Sequence, residues 1–279
     1  MKKTRSLLLG GAQFGKGYGK HINTPELSNF ELNSLLDYAK RKGIQEIDLA
    51  QSYESVVSNL SRTTSAGEYR YTTKIQYDTH WQHEIRLKLR SELESLGVDS
   101  FQAVLIHNWA VLEAKERTSA VKFLNLLIED GICIEAGVSV YDTWELEFED
   151  WIPDIIQAPL NFYNRQFLSN EIALSLRESG TKFIARSIFH QGLLLNPQFR
   201  LKFPDLDDFF SFCKVNDFSY LRGAFSIYDT QEIFQAVVIG VTSTSQLSEI
   251  LDIDDTQGTR FELPESRLYD SSFTDPRKW

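Results

Sequence analysis

Cysteine is almost missing: Cys133 and Cys213 are the only two in 279 residues, and they lie far apart. That excludes a disulfide framework and any cysteine-based metal spacing, and leaves two buried thiols as the expectation. Basic residues are in deficit, 29 Lys and Arg against 39 Asp and Glu, for a formal charge of −10. A field of that sign repels nucleic acid and anionic membrane surfaces, so neither is an expected partner. No apolar run approaches the roughly 18 residues of a membrane span. The basic start Met1-Lys-Lys-Thr-Arg5 is followed only by Leu7, Leu8 and Leu9 before glycines intervene. That stretch is too short for a signal segment, so the cytoplasm is the expected compartment. Internal repeats, low-complexity tracts and a metal-ligand cluster are also lacking. So is a Gly-x-Gly-x-x-Gly turn after the first strand, which removes the main support for an open, doubly wound sheet.

What is present suits a large core: 42% of the chain is hydrophobic, and its length is that of one α/β barrel. Short apolar runs at 6–9, 46–49, 71–75, 103–106, 134–138, 155–158, 183–185 and 236–239 read as strands. Between them, helical periodicity marks 28–42, 81–96, 114–130, 143–147, 170–179, 205–217, 220–228 and 244–252. Strands alternating with helices, with no linker, predict a (β/α)8 TIM barrel occupying 1–279 as a single domain. The polar tail after Asp255 is expected to cross the barrel surface without regular structure.

In such a barrel the working side chains project from the carboxyl ends of the strands. Strand 2 ends in Asp48 with Tyr53 five residues on, strand 3 in Lys74, and strand 4 runs into His107. Each alone has an ordinary explanation: a helix cap, a rim aromatic, a snorkelling lysine, a satisfied polar group. Together, on three adjacent strands, they suit proton transfer to a carbonyl oxygen whose carbon receives hydride. A tyrosine with a pKa of about 10 needs its phenolate stabilised, which a nearby ammonium does. A carboxylate such as Asp48 would hold that ammonium charged, and His107 would donate to and orient the substrate oxygen.

The same residues carry a family resemblance. Leu9-Gly-Gly-Ala-Gln-Phe-Gly-Lys-Gly-Tyr-Gly19 and Ile47-Asp48-Leu-Ala-Gln-Ser-Tyr53 resemble the first two strand ends of the aldo-keto reductases. Thr73-Lys74, Leu105-Ile-His107, Ala136-Gly-Val-Ser139, Gln157-Ala-Pro-Leu-Asn161, the 185–194 segment and the 239–249 segment continue the match in order. The resemblance implies Tyr53 as general acid, Asp48 and Lys74 as its tuning pair and His107 as substrate orienter. It implies a nicotinamide nucleotide near Gly11, Ala12 and Asp48, with Ser139 and Gln157 on the carboxamide. Arg186 would then lie at the nicotinamide ring, Ser187, Phe189, Gln191, Gly192 and Leu193 would follow the diphosphate, and Gly240, Thr242, Ser243, Gln246 and Glu249 the adenosine end. Ser243 and Thr244 can cap a helix whose positive end faces phosphate.

Four positions depart from the commonest family pattern. Val140 replaces an asparagine after the strand-5 serine. Arg186 stands where an aromatic ring often stacks on the nicotinamide, and its guanidinium could lie flat on that ring instead. Gly240 and Gln246 stand where a lysine and an arginine often meet the 2′-phosphate, so NADPH is only slightly favoured and NADH use is expected. Phe14, Tyr18, Tyr53, His107, Trp109 and Phe162 are the candidate substrate wall, with Tyr163, Arg165 and Phe189 also at the rim; aromatic platforms with polar edges suit sugars. The 9–19 and 185–194 runs are also similar to a bacterial subgroup associated with surface polysaccharide biosynthesis. A small-molecule carbonyl, either a keto-sugar or sugar nucleotide or a small aldehyde, is the expected substrate. A nicotinamide-binding regulatory subunit and a lyase or isomerase forming a Schiff base on Lys74 stay open as alternatives, as does the oligomeric state.

Overall fold

The computed structural model describes residues 6–15, 26–53 and 55–253; Tyr18 and the tail beyond Asp255 lie outside them. Eight parallel strands pair in chain order and close on themselves: β1 (Ser6–Gly10), β2 (Glu46–Asp48), β3 (Arg70–Ile75), β4 (Phe101–Ile106), β5 (Cys133–Ser139), β6 (Ile155–Pro159), β7 (Lys182–Arg186) and β8 (Phe234–Ile239). Each strand read from the sequence is present, and the fold is the (β/α)8 barrel. Its helices are α1 (Asn29–Arg41), α2 (Val56–Leu60), α3 (Gln82–Leu96), α4 (Ala114–Glu129), α5 (Glu171–Glu178), α6 (Asp207–Val215), α7 (Tyr220–Asp229) and α8 (Thr244–Leu251).

Local chemistry explains the helix ends. Ser28 starts α1 through a reciprocal box with Glu31, and Leu32, Leu35, Leu36 and Ala39 form its buried stripe. Gly97, at φ +69°, and Gly131, also at +69°, take the left-handed geometry that stops α3 and α4. Two stretches differ from the sequence expectation. The 143–147 segment is a short 3-10 turn, Thr143–Leu146, opened by a capping box between Asp142 and Glu145 and ended where Glu147 turns extended, at φ −79° and ψ 110°. The 205–217 segment begins with a 3-10 turn at Pro204–Leu206, and regular helix starts only at Asp207. The short helix α2 is one the apolar pattern does not announce, having only five residues.

Strand parity divides the barrel interior into layers. Leu8, Ala103, Leu105, Ile155, Ile184 and Ala236 form a small apolar cluster of their own, separate from the large core between strands and helices. Toward the amino ends of the strands lie polar groups: Glu46 with Thr72 and Arg70, and Glu135 with Lys182 and Gln102. Two residues later, the same parity brings up Gly10, Lys74, His107, Gln157, Arg186 and Val238, with Asp48 paired to Gly10 across β1 and β2. The site is thus the layer above an apolar plug. Among the described residues no helix is long and apolar enough to cross a membrane.

Gly137 lies where β5 meets β6, and a Cβ there would sit 1.9 Å from the Ile155 carbonyl oxygen. Backbone cannot yield as a flexible side chain can, so Gly137→Ala is expected to destabilise the fold by about 3 kcal/mol or more in urea unfolding. A midpoint equal to wild type would contradict that packing. Glu92 on α3 is buried, and desolvation raises its pKa from 4.5 to about 7 against the pull of Lys88. A raised carboxyl pKa means the folded chain holds a proton the unfolded chain has lost, so stability falls as pH rises from about 4.5 to about 7. Glu92→Gln mimics the protonated acid. Its melting temperature should match wild type near pH 5 and exceed it at pH 8 by an amount worth on the order of 1–3 kcal/mol; equal melting at both pH values would refute the buried-charge account.

Candidate active site

The inward layer is built around a buried ion pair. Asp48 ends β2 and Lys74 lies next to the last residue of β3, and the adjacent strands bring Lys74 Nζ to 2.7 and 2.6 Å from the two carboxylate oxygens. Gln157, reaching across from β6, donates from Nε2 to Asp48 Oδ1 at 2.7 Å. Both charged residues are buried, at 4% and 2% exposure. Burial pushes the Lys74 pKa down; the Asp48 carboxylate and its hydrogen bonds push it back up, and the nearby Arg186 charge lowers it.

Past the strand ends the ladder continues for a few residues and fixes the next groups. Leu49 N–H donates to the Thr72 carbonyl and Gln51 N–H to that of Lys74, and a tight turn bonds Tyr53 N–H to the Ala50 carbonyl. This sets the Tyr53 ring with Lys74 Nζ 5.7 Å from its centroid. His107 N–H donates to the Ile75 carbonyl, so its ring stands beside Lys74's strand, with Gln76 Nε2 3.5 Å from Nδ1.

These side chains line one end of a cavity of about 590 Å3, within the usual span of ligand sites. Of the residues the sequence singles out, Ala12, Asp48, Tyr53, Lys74, His107, Gln157, Arg186, Ser187, Phe189, Gln191, Gly192, Gly240, Thr242, Gln246 and Glu249 meet on its wall. The remainder sit elsewhere. Ser139 is buried just behind the wall, in register with Gln157. Gly11 packs so closely on β2 that a Cβ would meet Leu49 Cδ2 at 2.6 Å. Leu193 is core, and Ser243 caps α8 through Gln246 N–H. Phe14, Trp109 and Phe162, expected as substrate wall, do not line the cavity. Phe14 is fully buried, Trp109 donates to the Glu145 carbonyl and packs on Phe148 and Trp151, and Phe162 packs edge-on to Phe209. Their rings are used up by the core, which weakens the aromatic-platform case for a sugar.

Gly10, Gln13, Tyr141, Leu195, Leu221, Val238 and Ile250 also line the cavity and escape sequence reasoning. Tyr141 had a signal, two residues past Ser139 at the end of β5; Leu221 on α7 had none. Arg186 takes the Tyr141 ring as its platform, 3.9 Å from guanidinium carbon to centroid, and donates from Nη2 to the Val140 carbonyl at 2.9 Å. The acceptor is a main-chain atom, so this contact does not depend on the Val140 side chain.

The other end of the cavity suits a phosphate-bearing ligand. Ser187, His190, Gln191 and Gly192 all have positive φ, between 49° and 84°. Three of these are not glycine, and such strain persists where surrounding structure enforces it; here Asn161 Nδ2 donates to the Ser187 carbonyl at 3.3 Å. At the far end α8 opens with its N-terminus toward Thr242 and Gln246, whose Oε1 accepts from Thr242 N–H at 2.8 Å. Both cysteines are buried with thiol pKa values pushed up to about 12, which removes them as nucleophiles near neutral pH.

Residues 6–259 match the family model described as the aldo/keto reductase family. The chain belongs to that family. As an aldo/keto reductase it is an oxidoreductase of carbonyl and alcohol groups, in a family that generally uses NADPH or NADH. Two solved structures from Pseudomonas aeruginosa, both described as aldo-keto reductases, share the fold: both are 17% identical with a TM-score of 0.67, one covering 88% of each chain and the other 89% of this chain and 88% of its own. No curated protein matches this aldo/keto reductase at a significant level.

The donor set fits a nicotinamide nucleotide. Ser139 Oγ and Gln157 Oε1 are buried side by side without a hydrogen-bond partner, which a carboxamide would supply. Because Gln157 commits its Nε2 to Asp48, its carbonyl oxygen is the atom left to accept.

Proposed function

We propose that this aldo/keto reductase reduces an aldehyde or ketone to an alcohol, with Tyr53 delivering the proton. One observation carries the reading: Lys74 Nζ, paired with Asp48, stands 5.7 Å from the centroid of the Tyr53 ring on the wall of a cavity where Gln157 Oε1, with Ser139 Oγ behind the wall, is left unmet. Tyr53 gives its phenolic proton to the substrate oxygen. Lys74, kept as an ammonium by both oxygens of Asp48, stabilises the phenolate left behind. His107 donates to the same oxygen and fixes its direction. Ser139 and Gln157 hold the carboxamide, the 187–192 loop lies along the diphosphate, and the α8 N-terminus receives the adenosine end. When bound there, the nicotinamide nucleotide supplies the hydride.

Bidentate capture of Lys74 by Asp48 favours this role over Schiff-base chemistry, which needs a free amine. NADPH is favoured slightly, since Thr242, Ser243 and Gln246 offer hydrogen bonds to a 2′-phosphate but no cation.

Tyr53→Phe is expected to lower kcat for carbonyl reduction by roughly 100-fold or more while leaving cofactor Kd within about threefold, since the hydroxyl meets substrate and not nicotinamide. Retention of most activity would eliminate Tyr53 as the acid. Gln246→Arg should tighten NADPH over NADH by about tenfold in titration, because a guanidinium pairs with the extra phosphate. Loss of the Gln246–Thr242 bond acts on both nucleotides alike, so an unchanged ratio would show the adenosine end to be misplaced.

A further inference from the structure

Arg186 is a cation on the cavity wall that no carboxylate of the described residues neutralises. Its guanidinium is half-buried, donates to the Val140 carbonyl at 2.9 Å and rests on the Tyr141 ring, while Ser187 Oγ lies 3.5 Å from Nη1. No carboxylate of the described residues is within ion-pair reach of it. In a chain of net charge −10, 39 carboxylates were available to pair it. A cation held this way keeps its field, and Lys74 already feels it.

Its placement says what that field acts on. Arg186 ends β7, next to β6, and reaches over β6 to a carbonyl of Val140, the residue after Ser139. It therefore meets the residue that follows Ser139 from the strand next to Gln157, and Ser139 Oγ and Gln157 Oε1 are the two unmet atoms that fit the carboxamide. A nicotinamide ring hung on those atoms is a cation when oxidised and neutral when reduced, whereas its phosphates carry the same charge in both forms. A fixed guanidinium at that place repels one form only.

We propose that Arg186 is a redox-state discriminator: it weakens binding of the oxidised nucleotide relative to the reduced one, so that product cofactor leaves readily. This rests on the oxidoreductase reading above. The Tyr141 platform and the Val140 carbonyl hold the charge in place.

The test is equilibrium binding, without substrate. Dissociation constants for NADP+ and NADPH, and for NAD+ and NADH, are measured by calorimetry on the wild-type protein, Arg186→Gln and Arg186→Lys. Wild type should bind the reduced form roughly tenfold or more tightly than the oxidised form. Arg186→Gln should shrink that ratio by about tenfold, mainly by tightening the oxidised form, and Arg186→Lys should keep most of it because it keeps the charge. A ratio in Arg186→Gln within twofold of wild type overturns the discriminator while leaving the oxidoreductase reading intact. Equal loss of ratio in both variants also overturns it, since shape and not charge would then be responsible. If wild type binds neither form, the oxidoreductase reading falls, and the discriminator with it.

Discussion

A carboxylate and an ammonium removed from water together make the constraint around which the upper barrel is arranged. Desolvating such a pair is unfavourable by several kcal/mol per ion, and only close geometry with further hydrogen bonds offsets it. Asp48 meets that demand by accepting both contacts from Lys74 and a third hydrogen bond from Gln157. The first two contacts join neighbouring strands; the third arrives from β6, on another side of the barrel. A closed sheet is thus a condition for the pair, because an open one would leave Gln157 out of reach and the carboxylate partly hydrated.

From that pair the division of labour in the cavity follows. Gln157 spends its amide N–H on Asp48 and so presents its carbonyl oxygen, next to Ser139, to whatever binds above. Lys74 is held beneath the Tyr53 ring. The apolar layer below, Leu8, Leu105, Ile155 and Ile184 among it, separates these charges from the Glu46 and Glu135 groups at the other end of the barrel. Charges of opposite duty are kept in different layers of one interior.

Much of this was legible from periodicity. Parallel strands buried on both faces read as short apolar runs, and the step of two residues along a strand points Asp48, Lys74 and Gln157 the same way. Helix ends such as Ser28 with Glu31 are equally local, since a capping box needs only three residues. Illegible were the choices that depend on what arrives from elsewhere in the chain. Trp109 and Phe162 stand near strand ends, as rim residues would, yet Phe148, Trp151 and Phe209 draw them into the core. The 143–147 segment has helical composition and its own capping box, yet the chain turns extended at Glu147 after one turn.

Sequence by itself therefore determined the eight strands and the acid, lysine, tyrosine and histidine near their tips, because these rest on short apolar runs and on chemistry carried within short segments. Tertiary structure decided which aromatic rings reach the cavity, how Gln157 is turned, and that Arg186 lies on Tyr141 with no carboxylate of the described residues beside it. Those outcomes depend on partners supplied by distant segments, such as the 109 positions between Gln157 and Asp48, and only closure of the barrel brings such partners within hydrogen-bonding distance.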